Sequence, residues 1–400
     1  MVRNNLKNPI RVLRIIARLN IGGPAIHTIL LSTGLPCSRY ETCLITGRED
    51  PEEGNMEYLF PAGFQPARLN DLRREIDLVS DIRLIWQLMR YIYRFQPHII
   101  HTHTAKAGFV GRLSGFLINL LCGWNIKLVH TFHGHVFHGY FSPRKTAFFI
   151  WIEQILARIT DIIIAITPLQ LKEIQSHRVG RPRQFRQIPL GLDLAPFFRQ
   201  ERYSGDLYRL LKIERSRFII GTVARLAPIK NLELFVSLAA EYRSLNHKIA
   251  FVIIGDGSER RMLEKMAAER QLENILYFAG FQRNLERFYA DMGVMVLTSK
   301  NEGSPVAVIE AMTSGVPVVA SRVGGVPDLF ALDQAYGLAD PAEPSTFAQA
   351  INMILDDPVR AETIAAHHRR RVFKLYDYSN LLSNMDHLYQ ELSHCSSICC

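Results

Sequence analysis

Short apolar runs recur along the first half of the chain, and each is separated from the next by a stretch with helical spacing of its apolar residues. The runs lie at 11–17, 41–47, 98–102, 126–131 and 161–167. They are short and rich in β-branched residues, which is typical of parallel strands buried on both faces. Helices are predicted over 24–35, 78–96, 105–121 and 144–159. This alternation predicts a doubly wound parallel sheet.

The pattern breaks at 188–197, where Pro, Gly and polar residues replace the alternation. A second alternation begins at 218, and strands are predicted at 249–254, 275–279, 294–297 and 316–320. A chain of 400 residues exceeds the size at which one hydrophobic core stops growing. The sequence therefore predicts an α/β fold with two Rossmann-like domains, over 1–190 and 191–372.

Candidate chemistry is concentrated in the stretch 298–328, which follows the predicted strand Val294–Leu297. Glu302 lies in the loop after that strand, and Glu310 follows eight residues later in a predicted helix. The start of a helix favours anionic groups, and a carboxylate can accept hydrogen bonds from two neighbouring hydroxyls. This combination suggests a site for a sugar nucleotide. The alternative is one Glu favoured by the helix dipole and another on a solvated face.

Two cations follow the first predicted strand of the second domain. In GTVARLAPIKN, Arg225 and Lys230 are spaced so that both can lie over one ligand. A guanidinium and an ammonium stabilise the charge that grows on a leaving diphosphate. The alternative is a pair of solvated surface cations. Because the loop lies at a strand's carboxyl end in the same domain as Glu302, we favour a functional role.

The spacing of Glu302 and Glu310 matches an E-x7-E signature, and the stretch around them resembles the donor site of family 4 retaining glycosyltransferases. That family has the GT-B fold, in which two Rossmann-like domains face a cleft. The resemblance implies that Glu302 binds hydroxyls of the donor sugar and that Glu310 holds the nucleotide ribose. It also assigns Arg225 and Lys230 to the donor phosphates, in place of a metal ion, so no cofactor is expected.

The resemblance extends over most of the chain and implies further site residues. His133 in TFHG matches the active-site histidine, which contacts the donor sugar and helps to orient the reaction. The other donor-binding residues expected are Gly23, Gly280, Phe281, Gly303, Ser304, Pro305 and Val306. On the acceptor side, we expect Gly22, His103 and Lys106, with the loop 48–76 as the main acceptor segment. The segment 373–400 is expected to return to the first domain.

Six of the 14 histidines lie between residues 101 and 138, and this clustering raises the hypothesis of a metal site. His130, His133, His135 and His138 alternate at strand and loop spacing, but no HExxH motif or cysteine partner accompanies them. We therefore expect no metal. For His101, His130 and His138, structural roles are expected. The six cysteines form no CxxC pair, which fits a reducing cytoplasm.

The net charge of +9 and the pI near 9.3 are compatible with nucleic acid or an anionic membrane as a partner. No RNA-binding motif or recognition helix is found, so nucleic acid is not expected. Arg83–Arg94 and Arg144–Arg158 mix basic and aromatic residues, as interfacial helices do, although ordinary packing on a sheet also explains them. The longest apolar run, Leu113–Cys122, is expected to be too short to span a membrane.

The predicted function is transfer of a sugar from a nucleotide sugar to an acceptor hydroxyl, in polysaccharide or other cell-surface glycan assembly. No secretory signal is evident, so we expect a cytoplasmic protein that works at the inner face of the membrane on a sugar or lipid-linked sugar. A nucleotide-sugar 2-epimerase and a non-catalytic nucleotide-sugar-binding protein are the alternatives. No GxGxxG or GxxxxGK[ST] motif supports an oxidoreductase or a P-loop protein. The donor sugar, its base and the acceptor stay open.

Overall fold

The computed structural model describes residues 9–48, 54–73, 77–133, 143–245, 248–330 and 334–395. It divides into two units, and each is built around one parallel sheet. The first unit comprises residues 1–192 and 378–400, and the second comprises residues 193–377. From the sequence we expected boundaries after residues 190 and 372. The two sheets confirm the predicted α/β class with two doubly wound domains.

The first unit contains a seven-stranded parallel sheet with the strand order β3-β2-β1-β4-β5-β6-β7. Its strands are β1 (Ile10–Ile16), β2 (Tyr40–Thr46), β3 (Ala67–Arg68), β4 (Ile99–His103), β5 (Lys127–Phe132), β6 (Ile162–Ala165) and β7 (Phe185–Gln187). Its helices, numbered in chain order, are α1 (Gly23–Gly34), α2 (Leu78–Phe95), α3 (Ala105–Cys122), α4 (Pro143–Ala157), α5 (Pro168–Ser176) and α16 (Tyr378–Cys395). The strand order reverses between β1 and β4, and ligands of such sheets bind at this switch point.

Helix α3 lies unusually close to the sheet because glycines face the strands. A Cβ atom at Gly111 would come within 2.6 Å of Thr102, and one at Gly115 within 2.6 Å of Leu128. Helix α3 is long and apolar enough to cross a membrane by length and composition, and 44% of it is buried in the protein. The observed helix agrees with the one predicted over 105–121, of which Leu113–Cys122 is only the most apolar part.

Helices α1 and α16 pack together against the first unit's sheet. Leu381, Met385 and Leu388 of α16 are buried among residues of the first unit, including Val12 and Val129. The last helix of the chain therefore completes the core of the first unit. This placement agrees with the return of the C-terminal segment that the resemblance implies.

The second unit contains a six-stranded parallel sheet with the order β10-β9-β8-β11-β12-β13. Its strands are β8 (Phe218–Val223), β9 (Ile249–Ile254), β10 (Leu276–Gly280), β11 (Val294–Leu297), β12 (Val318–Ser321) and β13 (Leu338–Ala339). Its helices are α6 (Ala195–Arg199), α7 (Asp206–Leu211), α8 (Leu232–Glu241), α9 (Arg260–Glu269), α10 (Leu285–Ala290), α11 (Val306–Thr313), α12 (Pro327–Phe330), α13 (Gln334–Gly337), α14 (Ser345–Asp356) and α15 (Pro358–Tyr376). Here the strand order reverses between β8 and β11.

Several short elements were not predicted. Strands β3, β7 and β13 have two or three residues each, too few for a recognisable apolar run. Helices α14 and α15 are separated at Asp357, whose side chain caps α15 by accepting a hydrogen bond from the backbone NH of Arg360 at 3.0 Å. Pro358 occupies the first position of that helix, where its missing NH costs nothing. Part of the predicted acceptor loop, 49–53 and 74–76, lies outside the described residues.

Candidate functional site

The switch point of the second unit brings together two of the loops singled out in the sequence. Strands β8 and β11 are parallel neighbours, so their carboxyl ends lie at the same edge of the sheet. The loop after β8 carries Arg225 and Lys230, and the loop after β11 carries Glu302. Open α/β sheets bind ligands at this position. The fold alone therefore places both sequence motifs at a ligand-binding edge.

Lys230 and Glu302 form an ion pair, with 2.6 Å between Nζ and Oε1. Glu302 is 9% exposed, and the same Oε1 accepts a hydrogen bond from Oγ of Ser299 at 2.6 Å. A carboxylate with so little contact with water needs such partners, because an unpaired buried charge is costly. The acid and the ammonium are thus held at one point of the sheet edge.

Hydrogen bonds to backbone carbonyls fix the two loops against each other. Thr298 donates its hydroxyl to the carbonyl of Lys230 at 3.0 Å, and the NH of Lys300 donates to the carbonyl of Ile229 at 2.9 Å. From the loop after β12, the NH of Gly325 donates to the carbonyl of Glu302 at 3.2 Å. Three loops are therefore joined around the ion pair, and these hydrogen bonds fix the backbone that carries Lys230 and Glu302.

Arg225 differs from Lys230 in being exposed, and its side chain forms no ion pair with any residue that the structure describes. The loop that carries it is tied to the loop after β9, because the NH of Leu226 donates to the carbonyl of Asp256 at 3.0 Å. Gly257 allows this approach, since a Cβ atom there would lie 2.4 Å from the carbonyl oxygen of Leu226. The backbone next to Arg225 is fixed while its guanidinium stays available to an anion.

The segment before α11 forms the second part of this edge. Gly303 and Ser304 are partly buried, Pro305 is buried, and the helix begins at Val306. Within the described chain, Oγ of Ser304 is buried without a hydrogen-bond partner. A helix start with an unused hydroxyl favours an oxygen-rich, negatively charged ligand. That the donor binds here stays a prediction.

Glu310 lies on α11, and Tyr289 on α10 donates its hydroxyl to Oε2 of Glu310 at 3.1 Å. Burial raises the pKa of Glu310 from 4.5 to about 8, the hydrogen bond from Tyr289 lowers it, and the charge of Glu286 raises it further. Burial also raises the pKa of Tyr289 well above its ordinary value. Burial therefore favours the protonated form of Glu310 when no ligand is bound.

Gly280 and Phe281 lie at the carboxyl end of β10, on the far side of β9 from the ion pair. Gly280 has a φ of +70°, a conformation that favours glycine, and its carbonyl accepts a hydrogen bond from the NH of Gly255 at 2.9 Å. The side chain of Phe281 is 45% exposed. An exposed aromatic ring at a sheet edge is a suitable surface for a planar base.

In the first unit, histidines collect at the carboxyl edge around the switch point. His27 lies on α1, one turn after Gly22 and Gly23, and is buried. His103 ends β4 and His133 follows β5. Nδ1 of His103 is 2.8 Å from Nε2 of His133. The predicted active-site histidine therefore has a buried histidine as its hydrogen-bond partner.

Burial disfavours the charged forms of these rings. Burial lowers the pKa of His133 from 6.5 to about 3. Burial also lowers the pKa values of His27 and His103 far below 6.5, and the neighbouring histidines and Arg14 add to the effect. His27 has no hydrogen-bond partner for either ring nitrogen within the described chain. A neutral imidazole can accept or donate a hydrogen bond, depending on its tautomer.

A second hydrogen-bond chain lies behind this cluster. Nδ1 of His101 is 2.6 Å from the hydroxyl of Tyr389 on α16, and its Nε2 is 2.7 Å from Oγ1 of Thr131. Arg14 donates to the same tyrosine oxygen at 3.4 Å. His130 is buried and bonds to Thr102 at 2.8 Å. These contacts agree with the structural roles predicted for His101 and His130, while His135 and His138 lie outside the described residues.

The expected acceptor residues are placed less favourably. His103 has no exposed surface, and Nδ1 of its ring shares a hydrogen bond with His133. Lys106 forms an ion pair with Asp81 on α2, 2.5 Å between Nζ and Oδ1, and both side chains are about nine-tenths buried. Contact with an acceptor stays a prediction for both residues, and neither placement favours it. Gly22 lies immediately before α1, and a contact between its backbone and the acceptor stays a prediction.

His27, His103 and His133 also offer one nitrogen each within 4.8 Å of one another, a spacing at which three imidazoles can hold a metal ion. No carboxylate is among the charges that shift their pKa values, and the positive charge of Arg14 contributes to lowering those of His27 and His103. A divalent ion would add positive charge to a buried site that already contains a guanidinium. That the protein works without a metal stays a prediction.

Sequence reasoning missed several residues of these sites. Ser299, Tyr289 and His27 each contact a predicted site residue or its partner. Ser299 precedes Glu302 by three residues, a spacing that could have drawn attention to it. Tyr289 comes from another helix, and His27 lies on an ordinary apolar helix, so nothing in the local sequence marked them.

Two family models match the chain. The model described as Glycosyltransferase Family 4 matches residues 21–196, and the model described as Glycosyl transferases group 1 matches residues 209–371. The two matches correspond to the two units of the structure and together include every proposed site residue.

Among curated proteins, the chain is similar to UDP-Gal:alpha-D-GlcNAc-diphosphoundecaprenol alpha-1,3-galactosyltransferase of Escherichia coli. The two are 28% identical over 81% of this chain and 82% of that protein. It is also similar to the capsular polysaccharide biosynthesis glycosyltransferase CapM of Staphylococcus aureus, at 22% identity over 81% of this chain and 84% of the relative.

Solved structures share the fold. Sucrose-phosphate synthase from Thermosynechococcus elongatus matches with a TM-score of 0.79 and 23% identity, over 96% of this chain and 99% of that one. Anabaena Alr3699/HepE in complex with UDP matches with a TM-score of 0.77 and 19% identity, over 95% of this chain and 100% of that one. The same protein has also been solved with UDP-glucose.

Proposed function

The chain belongs to glycosyltransferase family 4, and from this premise we propose that it moves a sugar from a uridine diphosphate sugar to a hydroxyl of a lipid-linked sugar, retaining the anomeric configuration. Two of the related proteins support this choice of substrates. The Escherichia coli relative is named for UDP-galactose and a diphosphoundecaprenol-linked acceptor, and Alr3699/HepE has been solved with UDP. The transferred sugar becomes part of a cell-surface polysaccharide. The name of CapM, a capsular polysaccharide biosynthesis glycosyltransferase, supports this part of the proposal.

The ion pair between Lys230 and Glu302 is the observation that carries the proposal. A diphosphate that enters at the sheet edge offers Lys230 a more highly charged partner than one carboxylate. Lys230 then moves from Glu302 to the diphosphate, and Glu302 becomes free to accept hydrogen bonds from hydroxyls of the donor sugar. Donor binding therefore replaces the ion pair by one between Lys230 and the diphosphate, while Glu302 keeps the hydrogen bond from Ser299 and gains those from the sugar hydroxyls.

Arg225 and Lys230 stabilise the diphosphate leaving group. As the bond between the anomeric carbon and the diphosphate oxygen breaks, negative charge grows on the diphosphate, and the two cations offset it. The acceptor hydroxyl forms its new bond to the anomeric carbon on the same face. Its proton passes to an oxygen of the departing diphosphate, so no enzyme nucleophile and no metal ion are needed.

Other residues bind and orient the donor in this proposal. The NH groups and the Ser304 hydroxyl at the start of α11 donate hydrogen bonds to the phosphate oxygens, while Glu310 binds the ribose and Phe281 faces the base. His133, neutral because burial lowers its pKa to about 3, contacts the donor sugar. His103 holds the ring of His133 in one tautomer through their 2.8 Å hydrogen bond.

Purified protein incubated with a panel of nucleoside diphosphate sugars tests the proposal. Thermal stabilisation by UDP and a UDP-sugar, but not by other nucleotides, is expected, and added EDTA should leave turnover unchanged. Epimerisation of the sugar without an acceptor would favour a nucleotide-sugar 2-epimerase. Binding without any turnover would favour a sensor. We further propose that the protein works in the cytoplasm at an anionic membrane surface, where a lipid-linked acceptor is found.

A further inference from the structure

Helices α2, α3 and α4 form a continuous layer on the first unit, since α3 packs against both of the others. Their inner sides supply core residues such as Leu84, Leu88 and Val110. Their outer sides are unusual for a protein surface. Ten of the 21 exposed large apolar side chains of the described chain lie on these helices: Val79, Ile82, Trp86, Tyr93, Phe116, Leu120, Leu121, Phe148, Trp151 and Ile155. We call these outer sides the apolar-basic face.

The apolar residues of α2 form one stripe with basic residues between them. Trp86 is 64% exposed and Ile82 is 60% exposed, and both lie on the side of the helix opposite Leu84 and Leu88. Arg83 and Arg90 fall on the same exposed side, because helical neighbours recur every three to four residues. A helix with aromatic and basic residues on one exposed face is typical of the boundary between lipid headgroups and acyl chains.

Helix α4 repeats this composition. Phe148, Trp151 and Ile155 are exposed at helical spacing, and the rings of Phe148 and Trp151 stack with centroids 6.1 Å apart. Arg144 and Arg158 are exposed near the two ends of the same stripe. The two helices therefore present matching apolar stripes on either side of the exposed end of α3.

The distribution of charge decides which partner fits this face. The only acids within the three helices are Asp81 and Glu153, and both are buried. Asp81 pairs with Lys106, and Glu153 pairs with Arg112 at 2.8 Å, so each acid joins α3 to a neighbouring helix. Every carboxylate of the layer is therefore used inside it. Apart from Asp77, which caps the start of α2, the exposed charges on these helices and at the end of α4 are positive: Arg83, Arg90, Arg94, Arg144, Lys145 and Arg158.

A cavity lined by arginines adjoins this face. Arg158, Arg178 and Arg181 line one surface cavity at the end of α4, together with Gln154. Three guanidinium groups around one cavity suit a phosphate group. A second copy of the chain would bring the same cations face to face, whereas an anionic bilayer offers both negative headgroups and an apolar interior.

We propose that the apolar-basic face docks the protein on an anionic lipid bilayer, with Trp86 and Trp151 inserted at the headgroup level and the arginines against the headgroups. The inference names the surface that contacts the membrane partner included in the proposed function. Helix α3 lies along the bilayer in this arrangement, since its glycine side is held on the sheet.

Co-sedimentation of the full chain with vesicles tests the proposal. Vesicles of phosphatidylglycerol and phosphatidylcholine should bind the protein, and vesicles of phosphatidylcholine alone should bind it at least about tenfold more weakly. Salt at 0.5 M should weaken the binding to the anionic vesicles, because it reduces the distance over which opposite charges attract each other to a few ångströms. Equal binding to both kinds of vesicle, or binding to neither, would overturn the proposal.

Paired variants locate the surface. Trp86→Ser with Trp151→Ser, and separately Arg83→Glu with Arg90→Glu, should each reduce binding to anionic vesicles about tenfold or more. The matched controls are Tyr203→Ser, an exposed aromatic residue of the second unit, and Arg261→Glu with Lys265→Glu on α9. The controls should bind as the unaltered protein does. Equal losses in variants and controls would refute this surface.

Transfer to a short, water-soluble acceptor distinguishes this proposal from the proposed function. The four surface substitutions should leave that activity unchanged, since none of these residues belongs to the donor site. Unaltered protein that binds anionic vesicles but transfers no sugar would contradict the proposed function and leave the docking surface standing. If the tryptophan variant instead converts a dimer into a monomer in light scattering, the face is an interface between copies and the proposal fails.

Discussion

Nζ of Lys230 lies 2.6 Å from Oε1 of Glu302, although 72 positions separate the two residues in the chain. The pair exists because β8 and β11 are parallel neighbours whose loops share one edge. If donor binding exchanges this pair for contacts with diphosphate and sugar, Lys230→Ala and Glu302→Ala should each lower kcat/KM about 100- to 1000-fold. Transfer of radiolabelled sugar measures the effect.

A thermodynamic cycle over the same pair separates catalysis from folding. Each single variant leaves one charge without its partner and should lose about 1–3 kcal/mol of unfolding free energy. The double variant should lose less than the sum, because neither charge remains. The exposed pair of Lys265 and Glu269, with 3.7 Å between Nζ and Oε1, is the matched control and should change neither quantity appreciably. Full activity in either single variant would remove that residue from the site.

Arg225 should matter for turnover but not for stability. Its side chain is exposed and forms no ion pair with the described residues, so Arg225→Ala should leave the melting temperature nearly unchanged. The same variant should bind UDP more weakly and lower kcat by about 100-fold, because diphosphate charge is left uncompensated. Arg261→Ala, an exposed arginine on α9, is the control and should behave as the unaltered protein. Unchanged turnover by Arg225→Ala would exclude the arginine from the donor site.

The raised pKa of Glu310 leads us to expect that nucleotide binding depends on pH. Burial raises its pKa to about 8, and an ionised carboxylate accepts hydrogen bonds from ribose hydroxyls better than the protonated acid. Affinity for UDP should therefore rise as the pH increases from 6 towards 8, by at most about tenfold per unit. Calorimetric titration at several pH values measures this slope.

Glu310→Gln is the control for that slope, because the phosphates of UDP also titrate. The variant should bind UDP with a flatter pH profile and should differ most from the unaltered protein above pH 8. The same raised pKa makes the ligand-free unit less stable as the pH rises from about 4.5 towards 8, since the folded state keeps a proton that the unfolded chain has released. Identical slopes for the two proteins would show that Glu310 does not contact the nucleotide.

The histidine cluster predicts loss of stability in acid. Burial lowers the pKa values of His27, His103 and His133, the last to about 3, whereas the unfolded chain takes up these protons near 6.5. Below pH 6.5 the unfolded state therefore binds more protons, and stability should fall as the pH is lowered towards 3. Melting temperatures recorded from pH 7.5 to 4 measure the slope.

His27→Leu should reduce this slope, because it removes one of the buried titrating rings. Neither ring nitrogen of His27 has a partner within the described chain, so leucine can occupy the buried position without breaking a hydrogen bond. His387→Leu, at an exposed position on α16, is the matched control and should leave the slope unchanged. If His27→Leu retains the full acid sensitivity, the cluster is not its source.

The sequence predicted the long elements and the chemistry of the donor edge, because both leave local signals. The strands around Val294–Leu297 are apolar runs, and Glu302, Lys230 and Arg225 follow strand ends where parallel sheets bind ligands. The short edge strands, such as Ala67–Arg68, carry no such signal, since their formation depends on the neighbouring strand.

Pairing between distant segments was the part that could not be predicted. Nothing near Glu310 indicates that Tyr289 donates to it, and nothing near His101 indicates that it shares a hydrogen bond with Tyr389 from the last helix. Both contacts depend on how helices pack, not on the spacing of residues. The resemblance supplied His133 as a site residue, while its buried partner His103 became evident only from the geometry.

The most direct test is an assay of transfer with UDP-sugars and a sugar carried on a diphosphate lipid, followed by NMR of the product. We predict that UDP is released only when the acceptor is present, that the new linkage keeps the anomeric configuration of the donor, and that Glu302→Ala abolishes both. A product with inverted configuration, or turnover that needs no acceptor, would contradict the account.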